Sequence, residues 1–184
     1  VYWAKAIAVM LCVGLYSAPL KADQQSPELD MLFAQLSQAQ DKTRIEEIEG
    51  QILDIWRDPQ SDSIDLLMNR AIAALGQHDL DTALVHFNAV VDLAPDYAEG
   101  WNRRAGLHIR LENYEQAVLD IQRTVNLEPR HFRAWQMLGE VFMKMGNEQA
   151  ALRAFKEALN AHPHLTDLEE LTRELEIAVE GRGI

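Results

Sequence analysis

The chain has 184 residues, 48% hydrophobic and 25% charged, with a net charge of −12 and a pI near 4.8. That length suits one medium domain or a short repeat array. The acidic balance argues against nucleic acid as a partner, because phosphate contacts need clustered Lys and Arg, and against a general attraction to anionic lipid.

The first stretch, VYWAKAIAVMLCVGLYSAPLKADQQSP, carries Lys5, an apolar run from Ala6 to Leu20 broken by Gly14, Ser17 and Pro19, and a small residue at Ala22. A short charged start, a short apolar centre and a small residue predict a secretory signal peptide over residues 1–22, with Ala18 as a competing cleavage site. The run falls short of the about 20 apolar residues a comfortable membrane span needs, so no stable span is expected once the signal is cleaved. Lys5, Lys21 and Cys12 leave with it, which takes the charge to −14 and leaves no cysteine. The mature chain then has no disulfide, thiol nucleophile or cysteine metal ligand.

Residues 23–63 predict a helical hairpin. Ser26 and Pro27 open a helix carrying Leu29, Leu32, Phe33 and Leu36. Thr43 and Glu46 have the spacing of a capping box and open a second helix carrying Ile45, Ile48, Ile52, Ile55 and Trp56. The loop RDPQSDS follows.

A rhythm then begins. Pro95, Pro129 and Pro163 stand 34 residues apart, and other columns keep that step. They are Ala83, Ala117 and Ala151; Phe87, Ile121 and Phe155; Leu67, Trp101 and Trp135; Ala71, Ala105 and Gly139; and Asp79, Asn113 and Asn147. Trp101, Ala105 and His108 share one helix face, and Ala117, Ile121 and Thr124 share a face of the next helix. Asp79, Asn113 and Asn147 sit where the second helix of each unit starts and can accept its free amide hydrogens. The small residues let paired helices approach to about 8–10 Å between axes. Glycine inside a helix costs about 1 kcal/mol against alanine, so Gly139 makes sense only where contact requires the missing methyl. The prolines end each second helix and turn the chain into the next pair. Beyond them, Thr166 and Glu169 form a capping box for a last helix whose apolar face is Leu168, Leu171, Leu175 and Val179.

These columns resemble the tetratricopeptide repeat (TPR), a 34-residue helix–turn–helix unit. The match covers residues 64–97, 98–131 and 132–165, and Trp135, Leu138, Gly139, Phe142, Ala151, Phe155, Ala158 and Pro163 fill the third unit almost ideally. The resemblance implies an all-α solenoid: three TPR units, a preceding helical hairpin, and a capping helix with a tail over 166–184.

In that family the first helices line a concave groove. The lining positions fall here on Met68, Asn69 and Ile72 in the first unit. The second unit supplies Asn102, Arg103, Gly106, Ile109 and Arg110, and the third Arg133, Gln136, Met137, Glu140, Met143 and Lys144. Arg103, Arg110 and Arg133 would form a positive strip suited to a protein or peptide segment with acidic and apolar residues. The set departs from the carboxylate clamp by which some TPR domains hold chaperone tails. Arg133 fits one clamp place, but Met68, Ile72 and Met137 fall where Lys, Asn and Arg are wanted.

Nothing points to catalysis: there is no Gly-rich phosphate loop, nucleophile elbow or His-Glu-x-x-His. His162 and His164 have no third ligand at metal-site spacing, so no metal or other cofactor is expected. His108 reads as a buried, hydrogen-bonded core histidine. The short exported build is similar to small periplasmic TPR proteins of Gram-negative cells linked to envelope integrity. That implies a periplasmic adaptor binding a protein partner; an accessory subunit or regulator of a peptidoglycan or lipid-handling enzyme is the alternative. Intact-mass measurement on protein from the periplasmic fraction should show a start near Asp23, and full-length chain in the cytosol would end this reading.

Overall fold

The computed structural model describes residues 26–181, so the expected signal peptide lies outside the described residues. Among those described, the elements are nine α-helices: α1 (Pro27–Gln38), α2 (Lys42–Arg57), α3 (Asp62–Gly76), α4 (Leu80–Leu93), α5 (Ala98–Arg110), α6 (Tyr114–Leu127), α7 (Phe132–Lys144), α8 (Glu148–Ala161) and α9 (Thr166–Gly181).

From α3 to α8 the helices pair in chain order, and α9 closes the stack on α8. The small-residue columns explain how closely they pair. Ala71, Ala105, Ala83, Ala117 and Ala151 have no exposed surface. A methyl group at Gly139 would sit inside the ring of Phe155 on the paired helix, so the glycine expected to mark a close approach does so. The proline and tryptophan columns are joined directly: the Trp101 indole N–H donates to the Pro95 carbonyl at 3.1 Å, and that of Trp135 to the Pro129 carbonyl at 2.8 Å.

The turn inside each unit also repeats. His78, Glu112 and Gly146 occupy one 34-residue column, and all three adopt a left-handed backbone, with φ of 60°, 58° and 73°. Each is followed by an amide that bonds back into the first helix: Asp79 to the Ala74 carbonyl, Asn113 to that of His108 and Asn147 to that of Phe142. This is the Schellman ending, in which glycine carries no steric penalty and other residues do.

Several local expectations need correction. The N-cap of α2 is Asp41, which accepts from the Arg44 N–H at 3.0 Å, and Thr43 already lies in the first turn. Asp41 starts the helix about half a turn earlier than the Thr43–Glu46 box would. Asp79 and Asn147 cap as expected, whereas Asn113 makes no side-chain cap bond. Helix α9 begins at Thr166 itself, with the Glu169 N–H on the Leu165 carbonyl. Its buried face is Leu168, Thr172 and Leu175, while Leu171 is 40% exposed. Thr172 can enter the core because its hydroxyl donates to the Leu168 carbonyl at 2.6 Å.

The hairpin α1–α2 folds back, and its principal contact with the array is between α2 and α5. Its core of Leu29, Leu32, Leu36, Ile48, Ile52 and Trp56 is completed by Phe132, the first residue of α7.

Gly139→Ala should overpack the α7–α8 contact and lower stability by about 1–3 kcal/mol. Gly50→Ala, at a position in α2 with nothing within 4 Å of a new methyl, should raise it by up to about 1 kcal/mol. Urea midpoints of the two variants check both signs.

Candidate functional site

The docked hairpin is held by the junctions between repeats. Position 34 of each unit, where the chain enters the next first helix, is Tyr97, His131 and Leu165, and all three meet the hairpin. The Tyr97 hydroxyl donates to the Arg57 carbonyl at 2.8 Å. The His131 ring stacks on Trp56, with centroids 4.2 Å apart and planes 9° from parallel. Leu165 packs against the hairpin core.

Ion pairs surround this apolar contact. Arg130 reaches Asp30 of α1 at 2.7 Å and lies over the Phe33 ring at 4.6 Å, while its own position is fixed by buried Glu128. Arg133 pairs with Glu49 of α2 at 2.9 Å. His164 Nε2 donates to the Leu36 carbonyl at 2.7 Å. His162 is buried with its Nε2 3.4 Å from Glu49, without the alignment of a hydrogen bond, and its ring meets Phe132 edge-on. The two histidines singled out by sequence thus help to seat the hairpin.

Between α2 and the first helices lies a cavity of about 580 Å³. Its lining includes Asn102, Arg103, Gly106, Arg110, Arg133, Gln136, Met137 and Glu140 of the expected groove set. The first unit enters differently. Met68 is 6% exposed and belongs to the core between α3 and α4, Asn69 is bonded to Asp65, and Ile72 lies outside the cavity at 46% exposure. Lys144, in the last turn of α7, also lies outside. The cause is the hairpin. Because α2 stands against α5, the enclosed space centres on the second and third units, and α2 contributes Glu49, Leu53, Trp56 and Arg57 as a wall. Sequence reading missed that wall, as well as Leu75, Glu99, Leu107, Phe132 and Leu165. The available signal was the bulky Tyr97–His131–Leu165 column at the junctions between units.

The expected arginine strip is also rearranged. Glu99, 5% exposed, takes Arg103, the Asn102 amide at 2.8 Å and His131 Nε2 at 3.3 Å. His131 Nδ1 accepts the Ala134 N–H at 3.2 Å, so the ring proton sits on Nε2 and points at Glu99. Burial alone would raise the Glu99 pKa; the His131 hydrogen bond, with the Arg103 charge and the Asn102 amide, overcomes this and holds it at about 2. Burial holds His162 below its ordinary value despite the nearby Glu49 carboxylate. Burial also lowers His108, which is half-buried 3.8 Å from Asp120 and leaves Nδ1 unbonded, so the expectation of a hydrogen-bonded core histidine fails at that atom. Asp120 is already committed to a two-pronged pair with Arg104, at 2.8 and 2.7 Å.

A family model for the tetratricopeptide repeat matches residues 68–127 and 107–165. A TPR repeat-containing protein of Rhizobium etli is 38% identical over 94 residues, which is 51% of this chain and 46% of that one; the chain therefore spans about half the length of this curated relative. Among solved structures, the first TPR of Spaghetti (RPAP3) bound to the HSP90 peptide SRMEEVD superposes with a TM-score of 0.59 at 18% identity, covering 64% of this chain and 93% of that one. The Sgt2 TPR domain from Aspergillus fumigatus gives 0.59 at 21% identity, covering 66% and 85%. No helix among the described residues is long and apolar enough to cross a membrane.

Acid should loosen the fold in two stages. His162 and His108 have depressed values, so they stabilise the fold above their ordinary 6.5 and that contribution is lost as pH falls below it. Glu99, depressed from 4.5, contributes above 4.5 and loses its contribution as pH falls toward 2. Urea midpoints measured against pH should show both stages. Glu99→Gln should abolish the lower one and cost about 1–3 kcal/mol at neutral pH through the partners left unsatisfied.

Proposed function

Because the chain belongs to the tetratricopeptide repeat family, we propose that it is a protein-interaction scaffold, a non-catalytic adaptor that holds a segment of a partner protein in the groove between α2, α5 and α7. The carrying observation is the cavity itself. It lies on the first helices and combines apolar side chains with arginines and amides. Stacked helix pairs expose such a surface without occupying it with their own backbone.

The chaperone peptide held by one structural neighbour is not the ligand this groove favours. Met68, Ile72 and Met137 stand where a carboxylate clamp needs polar groups, Met68 is buried, and Arg133 is already paired with Glu49. The partner segment in this reading is apolar with acidic positions. The signal-like residues 1–22 and the absence of cysteine after them support a periplasmic location, and envelope maintenance is the role that goes with it.

Crosslinking in intact cells followed by mass spectrometry tests this. One recurrent envelope protein attached to α5 or α7 is the expected result, and crosslinks confined to α4, α6 and α8 would move the site to the outer face. Binding of that partner should weaken as salt rises from 0.05 to 0.5 M, because the screening length shrinks across about that range. Calorimetry at the two concentrations checks it.

A further inference from the structure

Four guanidinium groups line the cavity. Arg57 is held by Asp54 at 2.9 Å, Arg103 by Glu99 and Arg133 by Glu49 at 2.9 Å. Arg110 has no carboxylate partner among the described residues. Of the lining carboxylates, Glu49 and Glu99 are taken by those pairs, and Glu140 accepts from the neutral Gln136 amide at 3.0 Å and keeps its charge. Among the described residues, the wall therefore has one guanidinium without a carboxylate partner, Arg110, and one carboxylate without a cationic partner, Glu140.

Two polar atoms of the same wall are also unsatisfied. Trp56 Nε1, a donor, and Asn102 Oδ1, an acceptor, are buried without a hydrogen bond. One comes from the hairpin and the other from α5. Leu53 of α2 and Leu107 and Met137 of the array make the remainder apolar. A volume of about 580 Å³ lies within the range of about 300–1,000 Å³ typical of ligand pockets, and is small for a folded surface.

We propose that the docked hairpin is one wall of the recognition site, and that the pocket it completes takes a short peptide segment with a single carboxylate between apolar side chains, the carboxylate on Arg110. Arg103 and Arg133 are then positioning residues: Arg133 ties α7 to Glu49 of the hairpin, while Arg103 fixes Glu99 within α5, and Glu99 holds the His131 ring that stacks on Trp56. This rests on the groove reading above and narrows it. It assigns the ligand charge to one arginine and makes α2 part of the specificity. The planar guanidinium fork can hold a carboxylate through two parallel bonds, which lysine cannot reproduce.

A random heptapeptide phage library panned on the whole chain at low salt, followed by fluorescence anisotropy with fluorescein-labelled synthetic copies of the enriched peptides, tests the proposal. Enriched sequences should place one Asp or Glu between Leu, Ile, Val or Met. Arg110→Gln should weaken binding at least tenfold. Replacing the peptide carboxylate by its amide should cost about the same in the parent protein and nothing more in the variant, because both changes remove one interaction. Arg110→Lys should recover only part of the loss. Hydrogen exchange should slow in residues 49–57 as well as 102–110 when peptide binds.

Uncharged or basic enriched peptides, or unchanged affinity in Arg110→Gln with native circular dichroism, overturn the assignment to Arg110 while leaving the groove reading standing. Faster exchange in 49–57 on binding shows that the peptide displaces the hairpin, and overturns the wall. A library with no enrichment overturns the groove reading and this inference together.

Discussion

The indole of Trp56 lies flat on the imidazole of His131, and what separates this molecule from a bare stack of repeats depends on that contact. The stack fixes α2 across the entrances of α5 and α7. The tautomer of the His131 ring is set by its two hydrogen bonds, accepting from Ala134 on one nitrogen and donating to Glu99 through the other. Glu99 in turn orients Asn102 and Arg103. A ring stacking at an element junction thus sets the direction of polar groups a full turn away along α5. The pocket is a product of this chain of contacts, and each step is a short-range interaction between buried groups.

Electrostatics in the groove follow from the same arrangement. The protein is strongly acidic, yet its groove gathers arginines from three helices. Two of them, Arg103 and Arg133, are neutralised by the buried Glu99 and half-buried Glu49, where pairing is stronger than at the surface and less sensitive to salt, and Arg57 pairs with the exposed Asp54. The charge available to a partner is therefore far smaller than a count of arginines suggests. Such a site gains selectivity from shape and from which group is left over, and little from a diffuse field.

How much of this was legible in the sequence divides along one physical line. Contacts repeated every 34 residues could be read: the alanine columns, Gly139 against Phe155, the prolines and the two working caps all follow from spacing. Contacts made once could not. Trp56 meets His131, and His164 meets Leu36, across stretches of chain with no shared period and no local signature. Arg103 and Arg133 line the cavity, but their partners Glu99 and Glu49 show only when helices are assembled. The amphipathic pattern of α9 misassigned Leu171 because a threonine able to satisfy its hydroxyl within its own helix competes for the inner face.

The hairpin precedes the repeats in sequence but docks on residues from Tyr97 to Leu165. During synthesis it emerges with the Trp56 face uncovered, and its last docking residue follows roughly a hundred residues later, about 5 to 20 s at ordinary elongation rates of about 5–20 residues/s. Until then the repeats can form from neighbours alone, while the hairpin waits as an adhesive amphipathic pair of short helices. Its capture is a late loop closure across the whole array. Completion of the pocket therefore waits until Leu165 is available.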